Sequence, residues 1–144
     1  MGSIHFFEEK PAAWFKGRRA MKALLIELFR KEKVELDAIQ YVLVSDEALL
    51  EVNRSYLNHD YYTDIITFDL SAPGSAKVSD IYISLDRVEE NAKQYNQSRI
   101  NELRRVMIHG CLHLCGYKDK LKTDQLRMRE REDYYLRLYT KRST

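Results

Sequence analysis

His109, His113 and Asp119 occupy the first, fifth and eleventh places of the run HGCLHLCGYKD, with Gly116 at the eighth. Four residues is just over one helical turn, so both imidazoles leave one helix face with Cβ atoms about 5–6 Å apart. Two nitrogens so placed can share one metal ion. Gly116 is the residue type that most easily takes the left-handed conformation ending a helix, which lets the chain turn back. Asp119 follows three residues later and can bring a carboxylate oxygen to the same ion. Two neutral imidazoles and a carboxylate, with a fourth position left for water, describe a catalytic zinc site rather than a closed structural one. The spacing therefore predicts a metallohydrolase in which His109, His113 and Asp119 are both metal ligands and catalytic residues.

The elements that must position these side chains are marked by hydrophobic periodicity. Residues 4–7 alternate like an edge strand, and Met21, Leu24, Leu25, Leu28 and Phe29 form the stripe of an amphipathic helix over 18–33. Residues 39–44 (IQYVLV) read as a strand, after which Ser45 is placed to cap a helix running to about residue 56, with Asp46 and Glu47 in its first turn. Residues 64–70 and 80–85 are β-branched and aromatic, separated by a turn at 71–75. Asp86 with Glu89 resembles a capping box for a helix through about residue 96. The histidine helix spans about 100–115, and a charged helix covers about 123–139. The order β-α-β-α-β-β-α-α-α predicts an α+β fold, a small mixed four-stranded sheet covered by about five helices, with the metal site on a helix and the turn after it. At 144 residues the chain has room for one domain, 1–144, with one core.

On the histidine helix, Leu103, Val106, Met107, Gly110, Cys111 and Leu114 share the core-facing arc, and the two histidines sit at its edge, where a cleft wall belongs. Glu102 projects in nearly the same direction two turns earlier and is expected to orient an imidazole through a hydrogen bond. A bare H-x-x-x-H pair suits packing histidines as well as ligands; the glycine at the reversal and the carboxylate beyond it favour metal. Cys111 and Cys115 lie well around the helix from the imidazoles and cannot easily bond each other, which points to buried, reduced thiols. A formal charge of +2 does not by itself indicate nucleic acid. Lys and Arg do outnumber Asp and Glu after residue 117, where a solvated helix face is the simpler reading than an RNA-phosphate face. No apolar run is long enough to cross a membrane, and a cytoplasmic protein is expected.

The spacing matches the H-E-x-x-H-x-x-G-x-x-H of metzincin proteases, but Gly110 stands where their general-base glutamate belongs, so a peptidase would lack its base. A closer resemblance lies in residues 109–117, HGCLHLCGY, which resemble the H-G-x-L-H-L-x-G-Y signature of the YbeY family, bacterial rRNA maturation factors regarded as metal-dependent endoribonucleases. Upstream, Asn53, Tyr56, Asp60 and residues 63–68 (TDIITF) are similar to the family's N-x-x-Y-x-x-x-D-x-x-T-D-V-L-S-F segment. Residues 80–84 (DIYIS) resemble its G-D-I-x-I-S strand, with Ser79 in the glycine's place. The resemblance covers roughly residues 40–140. It implies a zinc-dependent, single-strand-specific endoribonuclease acting in maturation of the 16S rRNA 3′ end and in small-subunit quality control, with one Zn2+ per chain. The implied partners are single-stranded RNA, the small ribosomal subunit with its proteins, and a ribosome-associated GTPase. Attack on phosphorus by ionised water and by the neighbouring 2′-hydroxyl both remain open.

The chain departs from the family in two places. The family's signature ends in aspartate and a third histidine ligand, whereas this chain reads Lys118-Asp119, placing a carboxylate at the ligand position. Carboxylate oxygen is an ordinary zinc ligand, so ligation is expected; the alternative is that Asp119 only caps or hydrogen-bonds. After Tyr56 the family carries an arginine associated with RNA cleavage, and here Leu57 stands there, with Arg54, His59 or Asp60 as substitutes. Arg104, Arg105 and Lys118 are candidates to hold phosphates, and Tyr56, Tyr61, Tyr62 and Tyr117 to stack on bases. Two other readings stand beside the nuclease: a ribosome-assembly binding factor with a mainly structural zinc, and a metallohydrolase of another ester or amide.

Overall fold

Four runs rich in β-branched and aromatic residues pair into one mixed sheet of order β1-β2-β4-β3 in a computed structural model that describes residues 2–59 and 61–143. The elements are β1 (Ser3–Glu8), α1 (Arg18–Glu32), β2 (Leu36–Val44), α2 (Asp46–Leu57), β3 (Ile65–Asp69), β4 (Lys77–Ser84), α3 (Leu85–Gln94), α4 (Arg99–Leu114) and α5 (Lys122–Ser143). β1, β2 and β4 run parallel, and β3 returns antiparallel on β4, with Ile65 opposite Ile83 and Asp69 opposite Ser79. The sheet is thus α+β and mixed, as the element order predicts.

β2 is apolar nearly throughout because both its faces are covered. Ile39, Tyr41 and Leu43, with Ile81 and Ile83 of β4, enter the main core shared with α1, α4 and α5. Val42 and Val44 point the other way, onto Leu49 of α2 and Ile66 of β3. Buried Tyr41 donates its hydroxyl to the Met107 carbonyl at 2.8 Å and lies 3.0 Å from Cys111 Sγ, which ties α4 to the centre of the sheet. Both cysteines are free, and burial pushes the Cys111 thiol up to about 12 and that of Cys115 higher still. Both thiols are therefore protonated at neutral pH, and neither belongs to the cluster of His109, His113 and Asp119 described below.

Serine caps open three helices: Ser45, Ser84 and Ser98 accept from the backbone N–H of Ala48, Arg87 and Asn101 at 3.1, 3.1 and 3.2 Å. The cap expected at Asp86 is therefore corrected to Ser84, which ends β4 and begins α3 at once. A serine finishing a β-branched run reads locally as strand. Asp86 sits in the first turn and accepts instead from Lys10 and from the Asp46 N–H. Among the described residues no helix is long and apolar enough to cross a membrane.

Candidate metal centre

α4 approaches the sheet so closely at Gly110 that a Cβ there would stand 3.1 Å from Ile65 Cδ1 and 3.2 Å from Ile81 Cδ1. The residue that denies a peptidase its base is thus the one that seats the helix, and it puts neighbouring His109 on the lip of β3. α4 then ends as its glycine predicts. Gly116, at φ +102°, donates to the His113 carbonyl, and Tyr117 donates to the Leu112 carbonyl, both at 3.0 Å. These are the paired bonds of a Schellman turn. The reversal carries the Tyr117 carbonyl to 2.9 Å from His113 Nδ1 and returns Asp119 to the imidazoles.

The three candidate ligands meet. Asp119 Oδ2 lies 3.1 Å from His113 Nε2 and 3.2 Å from His109 Nε2, and one ligand atom from each residue falls within 4.8 Å of the others. Behind them, each Nδ1 faces an acceptor: the Tyr117 carbonyl for His113, and Glu132 Oε2 at 2.6 Å for His109. Those acceptors assign the proton to Nδ1 and leave both Nε2 lone pairs aimed at one point, an arrangement that fits a divalent ion. Burial opposes charge on His109, but the hydrogen bond and charge of Glu132, joined by Asp119 and Asp64, outweigh it and raise its pKa. A cation arriving at this point takes the place of a proton.

Glu132, on α5, performs the orienting role expected of Glu102. Seven residues of helix set Glu102 about 10 Å from His109 along the axis, beyond hydrogen-bond reach. The signal for Glu132 was present: it interrupts the buried stripe of Met128, Tyr135, Leu136 and Tyr139, and a carboxylate on such a face is there for a partner. Its other oxygen accepts from Arg105 Nη1 at 2.9 Å, while Arg105 Nη2 donates to Asp133 at 2.6 Å. Arg105 is therefore committed to this network rather than to a phosphate. The Arg104 guanidinium lies 4.2 Å over the Tyr139 ring, and Lys118 borders a separate hollow with Glu32 and Asp124.

The candidate ligands line a cleft of about 530 Å3, one wall of which is formed by residues 64–67. Across it stand Leu57, His59 and Tyr61, the last held by Asn53 Nδ2 donating to its carbonyl at 2.8 Å. Of the four tyrosines considered for base stacking, Tyr61 alone lines this cleft. Tyr117 donates to Glu32, Tyr62 to Glu47, and Tyr56 packs edge-on against Phe68. Leu57 lines the cleft without charge and Arg54 is exposed on α2; Asp60 lies outside the described residues. No lysine or arginine among the described residues borders this cleft.

Comparison with known proteins identifies the family. Residues 5–140 match the family model described as endoribonuclease YbeY. A protein named endoribonuclease YbeY from Cytophaga hutchinsonii is 43% identical over 136 residues, covering 94% of this chain and 95% of that one. Its namesake from Christiangramia forsetii is 38% identical over 138 residues, covering 96% and 95%. A solution structure of a Thermotoga maritima protein superposes with a TM-score of 0.66 at 30% identity, covering 94% of this chain and 88% of the other.

Proposed function

This chain belongs to the YbeY endoribonuclease family, and from that premise we propose that it is a zinc-dependent, single-strand-specific endoribonuclease acting in small-subunit rRNA maturation and quality control. One observation carries the reading: two Nε2 atoms and one carboxylate oxygen converge on a single point in an open cleft. The donor set of two imidazoles and one carboxylate favours zinc over harder oxygen-seeking cations. When bound, such an ion supplies Lewis acidity, polarising a phosphoryl oxygen and making water acidic enough to ionise near neutral pH.

The chain's own residues do the rest. Glu132 and the Tyr117 carbonyl hold the imidazoles in one tautomer and one orientation. β3 forms a wall along which a strand can lie, and the rings of His59 and half-exposed Tyr61, stacked on each other with centroids 5.2 Å apart, stand beside it as a platform for an unpaired base. With no lysine or arginine lining that cleft among the described residues, the positive charge facing a phosphodiester would come from an ion held by His109, His113 and Asp119. Single-stranded rRNA is the proposed substrate, with the small ribosomal subunit, its proteins and a ribosome-associated GTPase as proposed partners.

Elemental analysis of wild type and Asp119→Ala, purified without added metal, tests the site. The expected result is close to one zinc per chain in wild type and little in the variant. Equal zinc in both removes Asp119 from the ligand set. Leu57 favours a second reading, an assembly factor with a structural zinc. Zinc bound with no cleavage of single-stranded RNA, and unfolding on chelation, would establish that reading instead.

A further inference from the structure

Beside the metal cleft the molecule holds a second cavity, of about 360 Å3, reached past His109 and bounded by α3, α4 and α5. It shares Asp64, Ile65, His109 and Asp119 with the first. Its wall carries Glu102, a residue only 6% exposed, whose carboxylate accepts no hydrogen bond from any described residue and whose oxygens open on the cavity rather than being sealed off. Burial raises its pKa, and of its charged neighbours Arg105 and Arg129 oppose the rise while Asp64 and Glu132 add to it. A carboxylate that faces a cavity with its oxygens uncommitted to the protein is free to accept from the donors of a ligand there. A bare metal ion is a poor candidate. Among the described residues only His109, His113 and Asp119 bring three ligand atoms within 4.8 Å, and both Glu132 oxygens are engaged by Arg105 and His109. A planar group with several N–H donors fits the space better, and because the cavity opens on the metal ligands its occupant is joined to whatever sits at them.

Resting on the endoribonuclease reading, we propose that this cavity is a nucleobase subsite, in which Glu102 accepts hydrogen bonds from the Watson–Crick edge of the base flanking the cleaved phosphodiester. Guanine presents two adjacent donors there, N1–H and the N2 amino group, which match the two oxygens of one carboxylate. Cytosine and adenine present one amino group. Uracil presents N3–H between two carbonyls, which repel a carboxylate. Tyr95, half exposed at the cavity's rim, offers its ring to the base face.

The test uses cleavage-resistant 2′-O-methyl hexamers of cytosine carrying one central guanine or one central uracil, labelled with fluorescein. Binding to zinc-loaded wild type and to Glu102→Gln is read by anisotropy. Wild type is expected to favour the guanine hexamer by about tenfold, and Glu102→Gln to lose most of that preference at unchanged zinc content and melting temperature. Equal binding of the two hexamers by wild type, or a preference that survives Glu102→Gln, overturns the proposal. Unmodified hexamers separate this from the activity itself. Guanine preference without any cleavage sinks the nuclease reading alone, and cleavage with no Glu102-dependent preference sinks the base subsite alone.

Discussion

At the scale of single residues, the two histidines are held by different kinds of acceptor. His113 donates to a backbone carbonyl, and His109 to the carboxylate of Glu132 at 2.6 Å. A charged acceptor makes its imidazole the stronger electron donor, so Glu132 would strengthen the hold on an ion without touching it. Glu132→Gln preserves shape and removes the charge. Zinc affinity is expected to fall about tenfold, measured against a chromophoric chelator, with the fold retained. Undiminished affinity would show that Glu132 merely packs. The convergence of His109, His113 and Asp119 was legible in the sequence because they sit within one helix and its turn, where spacing fixes direction. Glu132 lies 23 residues from His109 on another helix, and only tertiary packing joins them.

At the scale of elements, the end of α4 decides whether Asp119 returns to the imidazoles. Gly116 holds φ +102° with open space around the position of a Cβ, so a side chain there is opposed by backbone conformation alone. Gly116→Ala is expected to destabilise the protein by about 1–2 kcal/mol in urea unfolding and to weaken zinc binding as well, since Asp119 follows the same turn. Loss of stability with undisturbed zinc affinity would separate the turn from the site. The order of all nine elements was legible in periodicity and turn residues. The boundary between β4 and α3 was not, because Ser84 serves both, and its role as a cap depends on the helix after it rather than on the strand it completes.

At the scale of the whole molecule, Glu32 ties α1 to α5 and to the turn behind the metal. It accepts from Tyr117, Arg131 and Tyr135, the first two at 2.8 Å. Burial works against its ionisation, but the hydrogen bonds from Tyr135, Arg131 and Tyr117 prevail and hold its pKa below the ordinary carboxylate range. A depressed folded-state pKa means stability that is fully present above the unfolded value of about 4.3 and lost as pH falls through the folded one. Glu32→Gln is therefore expected to unfold more readily at pH 7, by about 2 kcal/mol, and to differ little from wild type at pH 2. Urea titrations at the two pH values check this, and an equal deficit at both would assign the effect to packing. The difference between the two histidine acceptors also bears on descent. A carbonyl is present whatever residue occupies position 117, whereas the carboxylate at 132 is one codon change from being lost. Lineages can thus retune how tightly this centre would grip an ion through α5, while no change of side chain at 117 removes the other anchor.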